Sequence, residues 1–386
     1  EDIPVPIEDY ITEEDFKWND ENAVTVDVDD TLKSKYYIKW STSYKKACKI
    51  IYDKKSGKED FEKAEQLLID EADSGNVLAI HDLGKLYSTK KLGEKDEEKS
   101  YKYYEKALQG FTEIEPNGDF MFPYETVCKK PVDMRSYIWY RIGKMHCYGL
   151  GTQQDYEKAF EWYLKSAQEG NRFAQYSLGN LYYYGNGTDK DLSQAFQWYM
   201  KSAEQGQPYA AYAAAQMYNK GEYVSKDENQ AQEYYKQALA GFLELESKNQ
   251  ADDNLFYKIG IMYKNGLGTD IDMDKAINYF MRSAELNNAN AKRTIALEYL
   301  SGKHLELDIE KGLEMLTECA DRGDIMSCYK LGKIYFKGEI VYKDLNTSEK
   351  YFLKASEKEN QYALYSLGTC TWKKKNTILI KRLSIL

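Results

Sequence analysis

The sequence predicts an all-α fold, an α/α solenoid of about eight helix-turn-helix repeats, and three observations predict it. The first is spacing. Ala174, Leu178, Gly179 and Tyr182 fall on one helical face, and Ala195, Trp198, Tyr199 and Ala203 fall on another after a Gly-containing turn. Steps of three and four residues signal amphipathic helices, not strands. The second is recurrence. With Gly179 as reference, the same register holds at Cys48, Gly84, Gly143, Ala215, Gly260, Ala296, Gly332 and Gly368, and six of the eight steps are 36 residues. Each occupant is Gly, Ala or Cys, so the position demands a small side chain where two helices approach closely. The third is a capping residue. Twelve positions on stands Asp60, Asp96, Asp155, Asp191, Asp227, Asp272, Asp308 or Asp344, where a carboxylate accepts from the free N–H groups of a helix start. A fixed period in this range marks a solenoid.

Residues 1–31 lie outside the register. They hold twelve acids and one base, Lys17, a net −11 against −10 for the whole chain, so the repeats are close to neutral. Pro4 and Pro6 favour an extended start, and Val24, Val26 and Val28 alternate as a short strand would. This segment reads as an acidic linker leaning on the first repeat. The solenoid follows over 32–369.

Two steps exceed the period, by 23 and 9 residues, and place insertions near 111–135 and 242–252. Similar lead-ins, Ala107-Leu108-Gln109-Gly110-Phe111 and Ala238-Leu239-Ala240-Gly241-Phe242, predict second helices that run an extra turn. Insertions in a solenoid project from one face and extend a binding surface.

After Gly368 the landmarks fail together. Thr371 replaces the Tyr, Lys374 the turn Gly and Ile380 the capping Asp, leaving an off-pattern tail over 370–386. That tail reads either as a divergent end cap or as the product of a frame error. Glu1-Asp2-Ile3-Pro4 is neither an initiator Met nor a signal pattern, so the chain reads as part of a longer protein.

The six cysteines form no C-x-x-C pair, which argues against zinc. They read as reduced core thiols in a cytoplasmic protein, with Cys319 and Cys328 the one pair placed to bond. No apolar stretch approaches the ~20 residues of a membrane span. Near-neutral repeats lack the field that draws phosphate backbones. No membrane, no direct nucleic acid and no cofactor are expected, and the chain is expected to be a monomer.

The layout Leu-Gly-x-x-Tyr, Gly-x-Gly, Asp-x-x-x-Ala, Trp-Tyr, Ala-x-x-Gly, carried here by Leu178-Gly179, Tyr182, Gly185, Gly187, Asp191, Ala195, Trp198-Tyr199, Ala203 and Gly206, resembles the Sel1-like repeat family, relatives of tetratricopeptide repeats. Ile142 and the pair Ala214-Ala215 depart from it locally. The resemblance implies a right-handed superhelix whose first helices line a concave groove, and an adaptor or scaffold that binds a protein or peptide. An acidic lead-in ahead of such repeats also resembles the C-terminal region of bacterial relaxase/mobilisation proteins, which implies an accessory arm and no catalytic residue.

Candidate chemistry dissolves in register. His146 occupies a Tyr position, His304 replaces a turn glycine and His81 lies on the groove wall, so three histidines in three roles make no metal or catalytic set. Turns such as Gly149-Leu150-Gly151 follow helices and lack the Gly-Lys-Ser/Thr ending of a phosphate loop. The chain therefore reads as no enzyme, with no catalytic, cofactor or metal residue.

What stands out is the column three residues before each reference: Lys45, His81, Tyr140, Tyr176, Tyr212, Tyr257, Arg293, Tyr329 and Tyr365. A second column, four after, includes Tyr52, Tyr183 and Phe336. Tyr140, Tyr176, Tyr183, Tyr212, Tyr257, Tyr329 and Phe336 are the candidate partner-binding residues, since Tyr offers broad apolar area and a hydroxyl at little rotamer cost. Two readings stand for the first column, a partner-binding strip and the packing between repeats. The alternative function is a repeat-built hydrolase of an oxidising compartment, which predicts paired cysteines in every repeat.

Overall fold

The computed structural model describes residues 36–38, 41–53, 55–115, 121–122, 132–133, 135–248, 252–357 and 361–383. The acidic segment 1–31, with its expected strand, lies outside them. Eight helix pairs follow in order: α1 (Thr42–Tyr52) with α2 (Lys58–Ser74), α3 (Val77–Tyr87) with α4 (Glu97–Ile114), α5 (Arg135–Tyr148) with α6 (Tyr156–Gln168), and α7 (Arg172–Tyr184) with α8 (Leu192–Glu204). Then come α9 (Pro208–Lys220) with α10 (Glu228–Ser247), α11 (Asp253–Asn265) with α12 (Met273–Glu285), α13 (Ala289–Ser301) with α14 (Ile309–Asp321), and α15 (Ile325–Lys337) with α16 (Leu345–Ser356). A last helix, α17 (Gln361–Leu383), opens a ninth unit and runs through the positions where the other first helices turn. Between α4 and α5, a two-residue antiparallel ladder pairs β1 (Met121–Phe122) with β2 (Val132–Asp133).

The chain divides into two compact units, residues 1–250 and 251–386, at the second insertion. Within each, a first helix packs on the second helix of its own pair and on the second helix of the pair before, which is the solenoid arrangement. The lead-ins behave as the sequence predicts. α4 spans 18 residues and α10 spans 20, against 13 for α6 and α8.

The landmarks acquire physical roles. The backbone N–H of the period Asp donates to the carbonyl three residues past each reference: Asp191 to Tyr182 at 2.9 Å, Asp272 to Tyr263 at 2.9 Å and Asp344 to Tyr335 at 3.0 Å. That bond closes each helix hairpin. The same Asp then caps the second helix, as when Asp191 Oδ1 accepts from the N–H groups of Ser193 and Gln194 at 2.9 and 3.0 Å. One member departs from this. Asp60 is not the cap of α2 but its third residue, and its carboxylate accepts from the N–H of Gly57; a glycine there has no side chain to cap with, so the acid reaches back. Of the turn glycines, Gly151 and Gly187 are the most tightly placed, and Gly187 shows why. It holds φ +68°, and a Cβ on it would meet the Tyr156 carbonyl oxygen at 2.1 Å, where the turn lies on the preceding pair.

The reference column is small because an aromatic ring sits on it. A Cβ added to Gly179 would lie 2.6 Å from the Tyr199 ring, and the same holds for Gly143 on Tyr163, Gly260 on Phe280 and Gly332 on Phe352. Each ring comes from the second helix, twenty positions past the reference. The whole column, Leu68, Tyr104, Tyr163, Tyr199, Tyr235, Phe280, Leu316 and Phe352, is buried. These residues are the spine of both cores.

Candidate functional site

The tyrosine column ahead of each reference meets this spine. Tyr140 stacks on Tyr163 with centroids 5.7 Å apart, Tyr176 lies 5.9 Å from Tyr199, and Tyr212 lies 5.4 Å from Tyr235. In the second unit Tyr257 meets Phe280 at 5.5 Å and Tyr329 meets Phe352 at 6.0 Å. The next pair contributes a further ring, Phe173 to Tyr140 and Tyr209 to Tyr176. Tyr140, Tyr176 and Tyr212 are consequently only 3, 8 and 9% exposed. The expectation of broad aromatic area offered to a partner narrows at these three, because a second-helix ring covers each of them, with a further ring from Phe173 on Tyr140, Tyr209 on Tyr176 and Phe242 on Tyr212. Burial also pushes the Tyr176 hydroxyl up to about 12.

Tyr183, Tyr257, Tyr329 and Phe336 are half-buried and keep accessible edges. Tyr183 is the best furnished. Its hydroxyl donates to Glu222 at 2.6 Å, its ring meets Tyr184 edge-on at 5.0 Å, and Lys190 Nζ lies 5.6 Å from its centroid. Beneath it, the Tyr199 hydroxyl donates to Asn180 Oδ1 at 2.7 Å. In the second unit, Lys333 lies over Tyr329, and Lys373 and Lys343 lie over Phe336. Each unit thus presents half-buried aromatics with charged or amide neighbours on first helices, above a rigid seam. Of Tyr52 only the backbone is described.

His81 does not line an open wall. It lies in a buried polar cluster that joins α1, α3 and α5. Tyr44 Oη donates to Asp82 Oδ2 at 2.7 Å, His81 Nδ1 is 2.9 Å from Asp82 Oδ1, and an Arg141 guanidinium nitrogen lies 3.0 Å from His81 Nδ1 and 3.4 Å from Asp82 Oδ1. The imidazole nitrogen either donates to Asp82 or accepts from Arg141, never both at once. Burial, then the Arg141 charge, lower the His81 imidazole to about 4. Burial alone would raise the Asp82 carboxyl, but the His81 bond, the Arg141 charge and the Tyr44 hydroxyl outweigh it and hold it well below the carboxylate range. Cys48 sits 3.8 Å from Asp82, and burial together with that carboxylate pushes its thiol far up. Such a thiol is no nucleophile at neutral pH. The cluster ties three repeats together.

The other histidines behave individually. His146 is buried with its Nδ1 unpartnered, and His304 is 2.9 Å from Glu298. Among the described residues no group of three or more His, Cys, Asp or Glu is placed to hold a metal, and no helix is long and apolar enough to cross a membrane. The five described cysteines, Cys319 and Cys328 included, are buried and unbonded.

The family model of the Sel1 repeat matches residues 77–110, 140–171, 172–207, 208–241, 257–288 and 325–360, more than half of the chain. The chain belongs to the Sel1 repeat family. Those matches fall on six of the eight helix pairs described, and the remaining two, α1 with α2 and α13 with α14, keep the small reference residue, Cys48 or Ala296, and the buried residue twenty positions on, Leu68 or Leu316. The chain is similar to several solved structures. A Sel1 repeat protein from Oxalobacter formigenes is 28% identical, with 66% of this chain and 95% of that one covered and a TM-score of 0.48. The protective antigen c5321, present in uropathogenic Escherichia coli strains and displaying an SLR fold, is 19% identical over 86% of this chain and 79% of its own, with a TM-score of 0.43. The immunity protein Pa5087 of Pseudomonas aeruginosa is 17% identical over 58% and 82%, with a TM-score of 0.36. Sel1 repeat proteins are in general protein-interaction scaffolds and typically non-catalytic.

Proposed function

We propose that this Sel1 chain is a scaffold that holds a protein or peptide segment on the first-helix face of its repeats, with the Tyr183 cluster as an anchor. One observation carries the reading: Tyr183 and Tyr184 remain half-buried beside Glu222, on a layer where Tyr176 and Tyr199 are immobilised by packing. Rigid aromatic anchors beside hydrogen-bonding groups bind at low entropic cost. An acid and an amide beside the rings suit a segment of mixed apolar and polar character. The half-buried Tyr257, Tyr329 and Phe336 give the second unit a similar face, and the buried Tyr140, Tyr176 and Tyr212 support the anchors from below.

Peptides selected from a random library against the whole chain test this. Tyr183→Ala should weaken the selected binders at least about tenfold, near 1.4 kcal/mol, with melting unchanged. Gln197→Ala, on the exposed side of α8, should leave affinity intact. The reverse pattern would reject the first-helix face as the docking surface.

A further inference from the structure

Seven of the eight complete pairs have a Gly or Ala reference, and in every pair the residue twenty positions on is buried as part of the spine. α17 has the reference, Gly368, and no ring over it among the described residues. A Cβ built on Gly368 meets nothing within 4 Å, unlike Gly332 one repeat earlier, which lies under Phe352. The inner face of α17 is satisfied, since Ala363 and Cys370 are buried against α16. Its outer face is a groove lined by Leu364, Tyr365, Gly368, Thr369 and Trp372. Tyr365 is 80% exposed and Trp372 63%, whereas the equivalent Tyr140, Tyr176 and Tyr212 are all under 10%. The helix does not turn back at the expected glycine, where Lys374 stands, but continues to Leu383. It therefore brings no second helix of its own onto this face within its length.

We propose that the occupant is α17 of a second copy, packed antiparallel in a two-fold dimer. The stripe is self-complementary. Tyr365, Gly368, Trp372 and Lys375 share one side of the helix, and the pairs Gly368/Trp372 and Tyr365/Lys375 are both centred on Cys370. With the two-fold axis at that level, Trp372 of each copy covers Gly368 of the other, the role Tyr199 plays on Gly179 within the chain. Lys375 of each copy then meets Tyr365 of the other. That contact has precedents inside the chain, Lys311 over Tyr299 at 4.3 Å and Lys275 over Tyr263 at 5.0 Å. An isologous contact of this kind closes on itself and forms no filament. Two aromatics per copy, at about 150–250 Å² each, with Leu364 and Thr369 around them, bring the total to about 1,000 Å², the lower bound for a specific interface. The dimer is therefore weak and concentration-dependent, in place of the monomer expected from sequence.

Sedimentation velocity on the whole chain from about 1 µM to about 1 mM tests it. A monomer–dimer equilibrium within that range is the expected result. Gly368→Lys and Trp372→Gln should each raise the dissociation constant at least tenfold. Both positions are open in the single copy, so circular dichroism at dilution should match the parent chain, with Trp372→Gln melting alongside it and Gly368→Lys melting no lower, since a helix loses a glycine there. A chain that is monomeric throughout overturns the proposal, and so does a dimer that both variants leave intact. A monomer whose α17 instead captures a synthetic peptide spanning 345–356 would give the seat to a foreign second helix and equally overturn it.

Discussion

Two substitutions of the same kind in the same register column should have opposite signs. At Gly179 an added methyl would meet Tyr199 Cδ1 and Cε1 at 2.6 Å and the Ala195 carbonyl at 3.3 Å. The ring has no easy retreat, because its hydroxyl is bonded to Asn180 and Tyr176 packs on its flank. Overpacking of a filled core costs about 1–3 kcal/mol. Replacing Gly by Ala in a helix returns about 0.5–1 kcal/mol. Gly179→Ala should therefore destabilise the first unit by about 1 kcal/mol, toward 2 if the hairpin cannot shift. At Gly368 nothing opposes the methyl, so Gly368→Ala should stabilise the second unit by about 0.5–1 kcal/mol, measured at a dilution where copies do not meet. Native-state hydrogen exchange reads each unit separately, with amides of α7 and α8 for the first and of α16 and α17 for the second. Equal effects at the two positions, of either sign, would refute the assignment of the column as a ring seat.

The remaining predictions concern caps, charge and the seam. Asp191→Ala removes the acceptor of two N–H groups and should cost about 0.5–2 kcal/mol, read as a lower denaturation midpoint. Tyr212→Ala removes a ring packed against Tyr235 and Phe242 and should cost about 3–5 kcal/mol, a loss of stability that follows directly from burial. Arg141→Met leaves the Asp82 carboxylate buried without its guanidinium and should cost up to about 3–5 kcal/mol. The cluster also fixes a pH slope in the first unit. His81 is lowered from 6.5 to about 4 when folded, so between those values the unfolded chain binds more protons and stability falls as pH falls, by at most about 3 kcal/mol. Asp82, lowered as well, adds a loss of the same sign below its unfolded value. His81→Phe should flatten the slope between pH 6.5 and 4 in urea titrations at fixed temperature, and an unchanged slope would show the imidazole to be solvated.

The helix pairs were legible in the sequence because their landmarks report local physics. A 2.6 Å clearance tolerates only a hydrogen or a very small side chain at Gly179, and the hairpin-closing bond together with the cap fixes Asp191. The burial of Tyr140, Tyr176 and Tyr212 was not legible from their own column, since a Tyr ahead of the reference faces outward until a second helix covers it. The signal lay in the column twenty positions on, where Tyr104, Tyr163, Tyr199, Tyr235, Phe280 and Phe352 share the register. The His81–Asp82–Arg141 cluster was harder. Arg141 is 59 residues from Asp82 across the first insertion, and its one sequence hint was an acid amid the mostly apolar helix Val77–Tyr87. Asp60 misled because a period names a position and not the residue at which the helix begins.

On the proposed function, partners dock on first helices. A photo-reactive phenylalanine analogue at position 183 on α7, and separately at position 197 on the exposed side of α8, measures it most directly with the library-selected peptide bound. Efficient cross-linking to the peptide from 183, with none above background from 197, is the expected result. Cross-linking from 197 with silence at 183 would contradict it.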